Sequence, residues 1–198
     1  QATITNINQA QSTQQVSEAR NNGINTINQD QPNAVKKNNT KTLLEQKGNE
    51  KKSAIAQTPD ATTEEKQEAV SVVSQAVTNG NNHINQANSN DDVDQALSNA
   101  EQIITHTDVN VQKKPQARQA LIAKVNEKQR AINTDNEGTI EEKQKAIQSL
   151  NDAKNSADEQ ITQAASNQNV DNALNIGISN ISKIQTNFTK KQQARDQV

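Results

Sequence analysis

The sequence predicts an all-α protein made of tandem three-helix bundle modules that stack end to end into an elongated rod. Three observations predict this fold: a gap-free internal repeat, apolar residues at helical spacing, and a near absence of aromatic side chains. Hydrophobic residues make up 30% of the 198 residues, and Phe188 is the only aromatic residue. Because aromatic residues supply much of the buried area of ordinary domains, this chain can build only thin seams between helices.

The sequence contains a repeat that recurs without a gap at a constant offset, so that position 64 corresponds to position 141. We call this offset the repeat interval. Glu64–Gln67 recurs as Glu141–Gln144, and Ile84 recurs as Ile161. A more diverged copy precedes them, in which Ile7 stands one repeat interval before Ile84. A repeat that keeps its register over a whole chain predicts a tandem array of one structural unit.

Each repeat contains three helical segments, which we call A, B and C. Segment A runs from about Gln116 to Ile132, segment B from Thr63 to Ala87, and segment C from Asp92 to Thr105. Their apolar residues recur at steps of three and four, whereas strands would need alternation. The stripe of segment B consists of Ala69, Val73, Ala76, Gly80, Ile84 and Ala87, and Gly80 and Gly177 are predicted to let helices approach closely.

Residues that favour helix starts separate these segments. We expect Thr62 or Thr63 to cap segment B, and Thr139 to cap its later copy, each followed by glutamates that favour the positive end of the helix dipole. Asp91 or Asp92 is the expected cap of segment C.

Three amphipathic helices joined by short loops favour an up-down-up bundle. In such a bundle the chain enters at one end and leaves at the other, so tandem copies stack end to end. We divide the chain into a partial repeat at 1–32 (the end of helix B and helix C), three-helix repeats at 33–108 and 109–186, and the start of a further repeat at 187–198. Pro32 and Pro115 fall between helix C and the next helix A. Helices of about 24 residues predict a rod of roughly 100 Å.

The sequence offers no pattern that points to catalysis. His83 and His106 lack a second histidine at metal-ligand spacing, so we interpret them as exposed and interchangeable. The carboxylates lack a cleft, and the five glycines are scattered rather than grouped in a phosphate loop. We therefore expect no enzyme, no catalytic, cofactor-binding or metal-binding residue, and no cofactor.

Charge and hydropathy argue against two classes of partner. The net charge is −2 with both signs intermixed, so nucleic acid binding is not expected. No stretch approaches the roughly 20 apolar residues of a membrane span, so membrane insertion is not expected. The absence of a signal peptide and a sorting tail leads us to expect an interior segment of a longer chain.

Three motifs resemble a known repeat. They are Thr58–Gln67, the pair Ile84–Ala87 and Asp92–Ala96, and Val111–Arg118. Together they resemble a tandem helical repeat, a domain of unknown function, of staphylococcal cell-wall-anchored surface proteins. The resemblance covers essentially the whole chain, although Asn136 stands where the usual pattern has a proline.

The resemblance implies a secreted protein, anchored to peptidoglycan through a region outside this segment. It implies a structural stalk or spacer that projects an adhesive region from the wall, in proteins of adhesion, aggregation and biofilm. The implied partners are neighbouring repeats of the same chain and, through the parent protein, host extracellular matrix or another cell surface. The alternative is a binding module whose helix faces engage host matrix protein, serum protein or wall polymer, which the lack of aromatics disfavours.

Lysine pairs recur at each junction between modules: Lys36, Lys37, Lys113, Lys114, Lys190 and Lys191. We favour a solvated junction as their interpretation. The alternative is a periodic array of weak basic spots that contact anionic wall polymers or glycosaminoglycans.

Overall fold

The computed structural model describes residues 2–198, except for the side chains of residues 2 and 27–33. These residues form α-helices and no strand, which confirms the all-α prediction. The helices are α1 (Ala2–Gln9), α2 (Thr13–Ala56), α3 (Thr63–Gln86), α4 (Asn90–His106), α5 (Lys113–Thr134), α6 (Ile140–Gln163), α7 (Asn167–Ser182) and α8 (Lys190–Asp196). The bounds of α3, α4 and α5 lie close to those predicted for segments B, C and A.

Helix α2 covers the stretch in which the sequence predicted segment C of the partial repeat and segment A of the next. The sequence predicted a break between these two segments at Pro32, and this prediction is wrong, because α2 is a single helix from Thr13 to Ala56.

The chain divides into two compact units. The first contains the residues up to Ala54 together with Val70–Thr107, and the second contains Ile55–Ala69 together with Asp108–Val198. In the second unit α5, α6 and α7 form a three-helix bundle in which each helix packs against both others. The turn between α2 and α3 and the first residues of α3 therefore lie in the same unit as this bundle.

Burial in each unit follows the predicted apolar stripes. In the first unit Leu44, Ile84 and Val93 are fully buried, and their equivalents in the second unit are equally inaccessible. The core of the second unit consists of Ala117, Leu121, Val125, Ile132, Ala146, Leu150, Ala157, Ile161, Ala164, Val170, Ala173, Ile181 and Phe188. All of these side chains except Phe188 are aliphatic, so the core is built without the aromatic bulk of an ordinary domain, as the composition predicted.

Two glycines lie where neighbouring helices pack closely, as predicted. A Cβ atom on Gly80 would lie 2.6 Å from Leu44 Cδ2, and one on Gly177 would lie 3.3 Å from Leu121 Cδ1. Both glycines are buried within their own unit. Each lets a neighbouring leucine pack against the helix backbone.

The helix starts confirm one predicted cap and correct another. Thr139 caps α6 as expected, and Glu142 completes the capping box. The cap of α4 is Ser89 rather than Asp91 or Asp92. Ser89 has an extended backbone, its hydroxyl accepts from the Asp92 amide at 3.1 Å, and the Asp92 carboxylate accepts from the Ser89 amide at 3.0 Å. Asp92 therefore lies inside the helix as the reciprocal partner of the cap.

Candidate functional site

A cluster of charged side chains in the second unit connects the α2–α3 turn with α5 and α6. Arg118 donates from both terminal nitrogens to the Asp60 carboxylate, and the distance from Nη2 to Oδ1 is 3.0 Å. Its Nε donates to Asp158 Oδ1 at 2.9 Å, and Nη2 also donates to Thr162 Oγ1 at 2.9 Å. We call these four residues the Arg118 cluster. The planar guanidinium fits this task because it offers several donors in a fixed plane.

Local structure places each member of the cluster. Asp60 lies in the turn after α2 with φ of 63°, in the left-handed region that short polar side chains tolerate better than bulky ones. Arg118 lies in the second turn of α5. Asp158 and Thr162 are four residues apart on α6, so they share one face of that helix.

The cluster favours its ionised form. The hydrogen bond from Arg118 lowers the pKa of Asp60 below the ordinary value of 3.8, although partial burial opposes the change, and the charges of Arg118 and Lys114 lower it further. The same hydrogen bond raises the pKa of Arg118. The two groups therefore stay charged together down to acid pH.

Glu65 connects the starts of two helices. Its Oε2 accepts from the Thr62 amide at 2.9 Å, which completes the cap of α3. Its Oε1 accepts from the amides of Gln112 and Lys113 at 2.8 and 2.7 Å. Since the side chain of Gln112 makes no capping bond, Glu65 satisfies donors at the start of α5 in its place. Burial raises the pKa of Glu65, but these backbone hydrogen bonds outweigh it, and the net pKa is lowered.

A third contact joins the start of α3 to the turn before α7. The Thr63 amide and hydroxyl both donate to the Ala165 carbonyl, at 2.8 and 3.0 Å. The Thr62 hydroxyl donates to Asn167 Oδ1 at 2.7 Å, and the Asn167 amide donates to Glu64 Oε2 at 3.0 Å. We call the Arg118 cluster, the Glu65 contacts and this α3–α7 contact together the polar joint.

Part of the polar joint recurs one repeat later. Arg195 Nη2 donates to Glu137 Oε2 at 2.5 Å, and both residues stand one repeat interval after Arg118 and Asp60. The carboxylate changes from aspartate to glutamate while the ion pair is kept. The joint therefore follows the repeat rather than belonging to one place in the chain.

The first residue of two predicted lysine pairs makes an equivalent ion pair. Lys36 Nζ lies 2.5 Å from Asp94 Oδ2, and Lys113 Nζ lies 2.7 Å from Asp171 Oδ1. Each pair joins the first helix of a repeat to its third, so these lysines already have carboxylate partners within their own unit.

The second residue of each pair donates to a backbone carbonyl. Lys37 Nζ lies 3.1 Å from the Asn85 oxygen, and Lys114 Nζ lies 2.7 Å from the Thr162 oxygen. Lys114 is only 5% exposed, so the expectation of a solvated junction is wrong for this residue. Its aliphatic stem is covered by the bundle while the ammonium group satisfies the end of α6.

The third pair lies near the end of the described chain. Lys191 Nζ donates to the Asn136 carbonyl at 3.1 Å. Lys190 lies exposed beside a cleft of about 530 Å³, whose lining also includes Lys145, Lys183 and Phe188. Whether any of the six lysines contacts a polyanion stays a prediction.

The sequence analysis did not identify the role of Arg118. A signal for it was present, because residues 60 and 118 carry opposite charges and residues 137 and 195 repeat that arrangement. The motif Val111–Arg118 contains this arginine, but pairing it with Asp60 needed the topology that brings the turn beside α5.

The structure also describes the two histidines that the sequence analysis considered. His83 and His106 are both exposed, as predicted. Among the residues that the structure describes, no three acidic or histidine side chains form a group that could hold a metal ion. In the same part of the chain, no helix combines the length and the apolar character needed to cross a membrane.

Comparison with known proteins agrees with the repeat. Residues 1–35, 36–112 and 113–189 each match the family described as Domain of Unknown Function (DUF1542), and the last two matches are each as long as the repeat interval. The chain is also 28% identical over 127 residues to the extracellular matrix-binding protein ebh of Staphylococcus aureus (strain MRSA252). That match covers 64% of this chain and 1% of ebh, so the chain spans a very small part of that relative. No solved structure matches the chain. The three consecutive matches confirm the predicted resemblance, and the chain belongs to the DUF1542 family.

Proposed function

We propose that this chain is a spacer segment of a bacterial cell-surface protein, in which DUF1542 repeats joined end to end hold an adhesive region away from the wall. The observation that carries the proposal is the polar joint, whose Arg118–Asp60 pair returns one repeat later as Arg195–Glu137. All contacts of the joint lie within the second compact unit, and their recurrence with the repeat supports an array in which the same connection is used for each copy.

The chemistry of the joint favours a stiff connection. Flexible linkers are rich in glycine and serine and leave their backbone groups to water. Here Glu65 accepts from the amides of Gln112 and Lys113, where the segment between α4 and α5 ends. Holding that segment at its end limits the directions in which the next helix can start.

We infer an extracellular location, with attachment to the wall through another part of the protein. The similarity to ebh, which is named as an extracellular matrix-binding protein, supports this location. We assign the chain no enzymatic activity, because neither the family of unknown function nor the matrix-binding relative suggests a reaction.

Small-angle X-ray scattering tests the spacer. A rod of stacked modules should have a maximum dimension of about 100 Å, since helices rise about 1.5 Å per residue. A single compact particle of this length would have a radius of gyration of about 16 Å, and that result would contradict the proposal.

A matched pair of variants tests whether the polar joint sets the stiffness. Arg118→Gln should keep its helical circular dichroism signal but give a broader distribution of interatomic distances. Arg130→Gln removes the same charge from an exposed position of α5 and should scatter like the parent chain. Identical scattering from both variants and the parent chain would show that the polar joint does not set the stiffness of the spacer.

A second candidate function is direct binding of extracellular matrix, which the name of the relative favours. Surface plasmon resonance over immobilised basement-membrane matrix tests it. The spacer proposal expects no saturable binding by this chain at micromolar concentration. Saturable binding that an excess of free chain removes would favour the second candidate.

A further inference from the structure

The first residue of α6 is an isoleucine that faces solvent. Ile140 keeps 71% of its surface exposed, although it is one of the larger apolar residues of the chain. It stands one repeat interval after Thr63, the first residue of α3. The Thr63 amide and hydroxyl both donate to the Ala165 carbonyl. Both side chains are exposed, and what marks the earlier copy is the pair of hydrogen bonds from Thr63 to Ala165.

The residues around Ile140 repeat those around Thr63. Thr139 corresponds to Thr62, and Glu141 corresponds to Glu64. In the earlier copy these positions exchange hydrogen bonds with Asn167 at the start of the following repeat's third helix. The positions one repeat interval after Ala165 and Asn167 lie beyond residue 198 of this sequence.

The start of the following repeat's first helix is already attached beside this surface. Arg195 of α8 donates to Glu137, as Arg118 of α5 donates to Asp60. One half of the joint is thus formed at the equivalent place of the repeat. Continuing the chain as another repeat would bring its second turn to the surface around Ile140.

We propose that Thr139, Ile140 and Glu141 form a docking surface for a following DUF1542 repeat. The turn between the second and third helices of that repeat contacts Thr139 and Ile140 as Ala165–Asn167 contacts Thr62 and Thr63. The Ile140 amide donates to a carbonyl of that turn, and Glu141 accepts from the first amide of its third helix. This inference rests on the proposed array of repeats and names the surface through which the array continues.

The change from threonine to isoleucine leaves the backbone part of the contact available. Thr63 adds a hydroxyl bond at this position, whereas Ile140 adds exposed apolar surface. Because the acceptor of the Thr63 amide is the backbone carbonyl of Ala165, the side chain on the following turn is free to differ between copies.

Hydrogen exchange of single amides, followed by nuclear magnetic resonance, tests the docking surface. The sequence of residues 122–189 is added after Val198, which completes a further copy of the repeat without changing the register. The Ile140 amide should exchange roughly tenfold or more slowly in the extended chain, since an amide at a helix start gains protection only from an outside acceptor. The Thr63 amide is the internal reference and should be protected in both chains.

Two further chains complete the test. Ile140→Thr in the extended chain should keep the protection, because threonine makes this contact in the earlier copy. A second extension, which adds the sequence of residues 45–112 instead, supplies the same register with a different copy. Failure of both added copies to fold on a folded chain would contradict the proposal, because docking should stabilise them.

The decisive adverse result is fast exchange of the Ile140 amide in an extended chain whose added core amides are protected. That result would overturn the docking surface even if scattering still gave a long particle. A protected Ile140 amide in a compact particle would instead keep the docking surface and remove the spacer role.

Discussion

Gly80 on α3 lies so close to Ala100 on α4 that a Cβ atom at Gly80 would be 2.8 Å from the Ala100 Cβ. The second unit reverses the pair: Ala157 holds the place of Gly80, and Gly177 holds the place of Ala100. A Cβ atom at Gly177 would lie 2.5 Å from the Ala157 Cβ. Each seam therefore has room for one methyl group at this point, and the two copies put it on opposite helices.

This relationship predicts the effect of Gly80→Ala. An alanine gains about 1 kcal/mol of helix propensity over glycine, but overpacking a tight seam costs about 1–3 kcal/mol. Since Ala100 Cβ is fixed to the backbone and cannot turn away, the clash should win, with a net loss of about 1 kcal/mol. Urea unfolding followed by circular dichroism measures it.

The double variant Gly80→Ala with Ala100→Gly is the matched control. It reproduces the arrangement of Ala157 and Gly177, so its stability should return to within about 0.5 kcal/mol of the parent chain. Additive losses in the double variant would show that the two positions do not share one space.

Arg118→Gln should destabilise the chain by about 1 kcal/mol, because it breaks contacts to Asp60, Asp158 and Thr162. The loss stays modest because the carboxylates are about a third or more exposed and water screens the ion pairs. Arg195→Gln removes the single, more exposed pair with Glu137 and should cost less in the same unfolding experiment.

Stability should fall as the pH is lowered below about 4.5. Asp60 and Glu65 have folded pKa values below their ordinary values of 3.8 and 4.5. Their stabilisation is therefore fully present above those ordinary values and is lost as the pH falls through the lower, folded values. Thermal melting at pH 7 and at steps from pH 5 to pH 3 measures this loss.

Glu65→Gln provides the comparison for the acid effect. This variant keeps the shape of the side chain but loses the titrating group, so its melting temperature should change less between pH 5 and pH 3. An equal change in parent and variant would place the acid sensitivity elsewhere.

If the junction lysines contact polyanions, the individual lysines should contribute to different extents. Lys190 is exposed near Lys145 and Lys183, with Glu142 lining the same cleft, whereas Lys114 is buried with its ammonium on a carbonyl. Lys190→Gln should therefore lower the salt concentration that elutes the chain from a heparin column more than Lys36→Gln, since Lys36 has Asp94 as its partner. Failure of the parent chain to bind heparin at low salt would contradict the prediction.

The all-α fold and the bounds of α3, α4 and α5 were predictable because apolar spacing and capping residues are local features of the sequence. The boundary expected at Pro32 was wrong, because α2 continues through it. The buried stripe around Val73 and Ile84 could likewise be read from one helix at a time. The polar joint could not, because Asp60 and Arg118 meet only after the helices have packed. Ser89 was missed for a simpler reason: an aspartate inside the first turn favours a helix start as strongly as one at the cap.

The reversed glycine and alanine pairs constrain how such a gene can gain or lose copies. A recombination crossover that falls between positions 80 and 100 of misaligned copies joins helix B of one repeat to helix C of another. One product carries two alanines at a point with room for a single methyl group, and the reciprocal product carries two glycines and a hole. Exchanges of whole repeat intervals leave every pair matched, so copy number can drift while each seam stays filled.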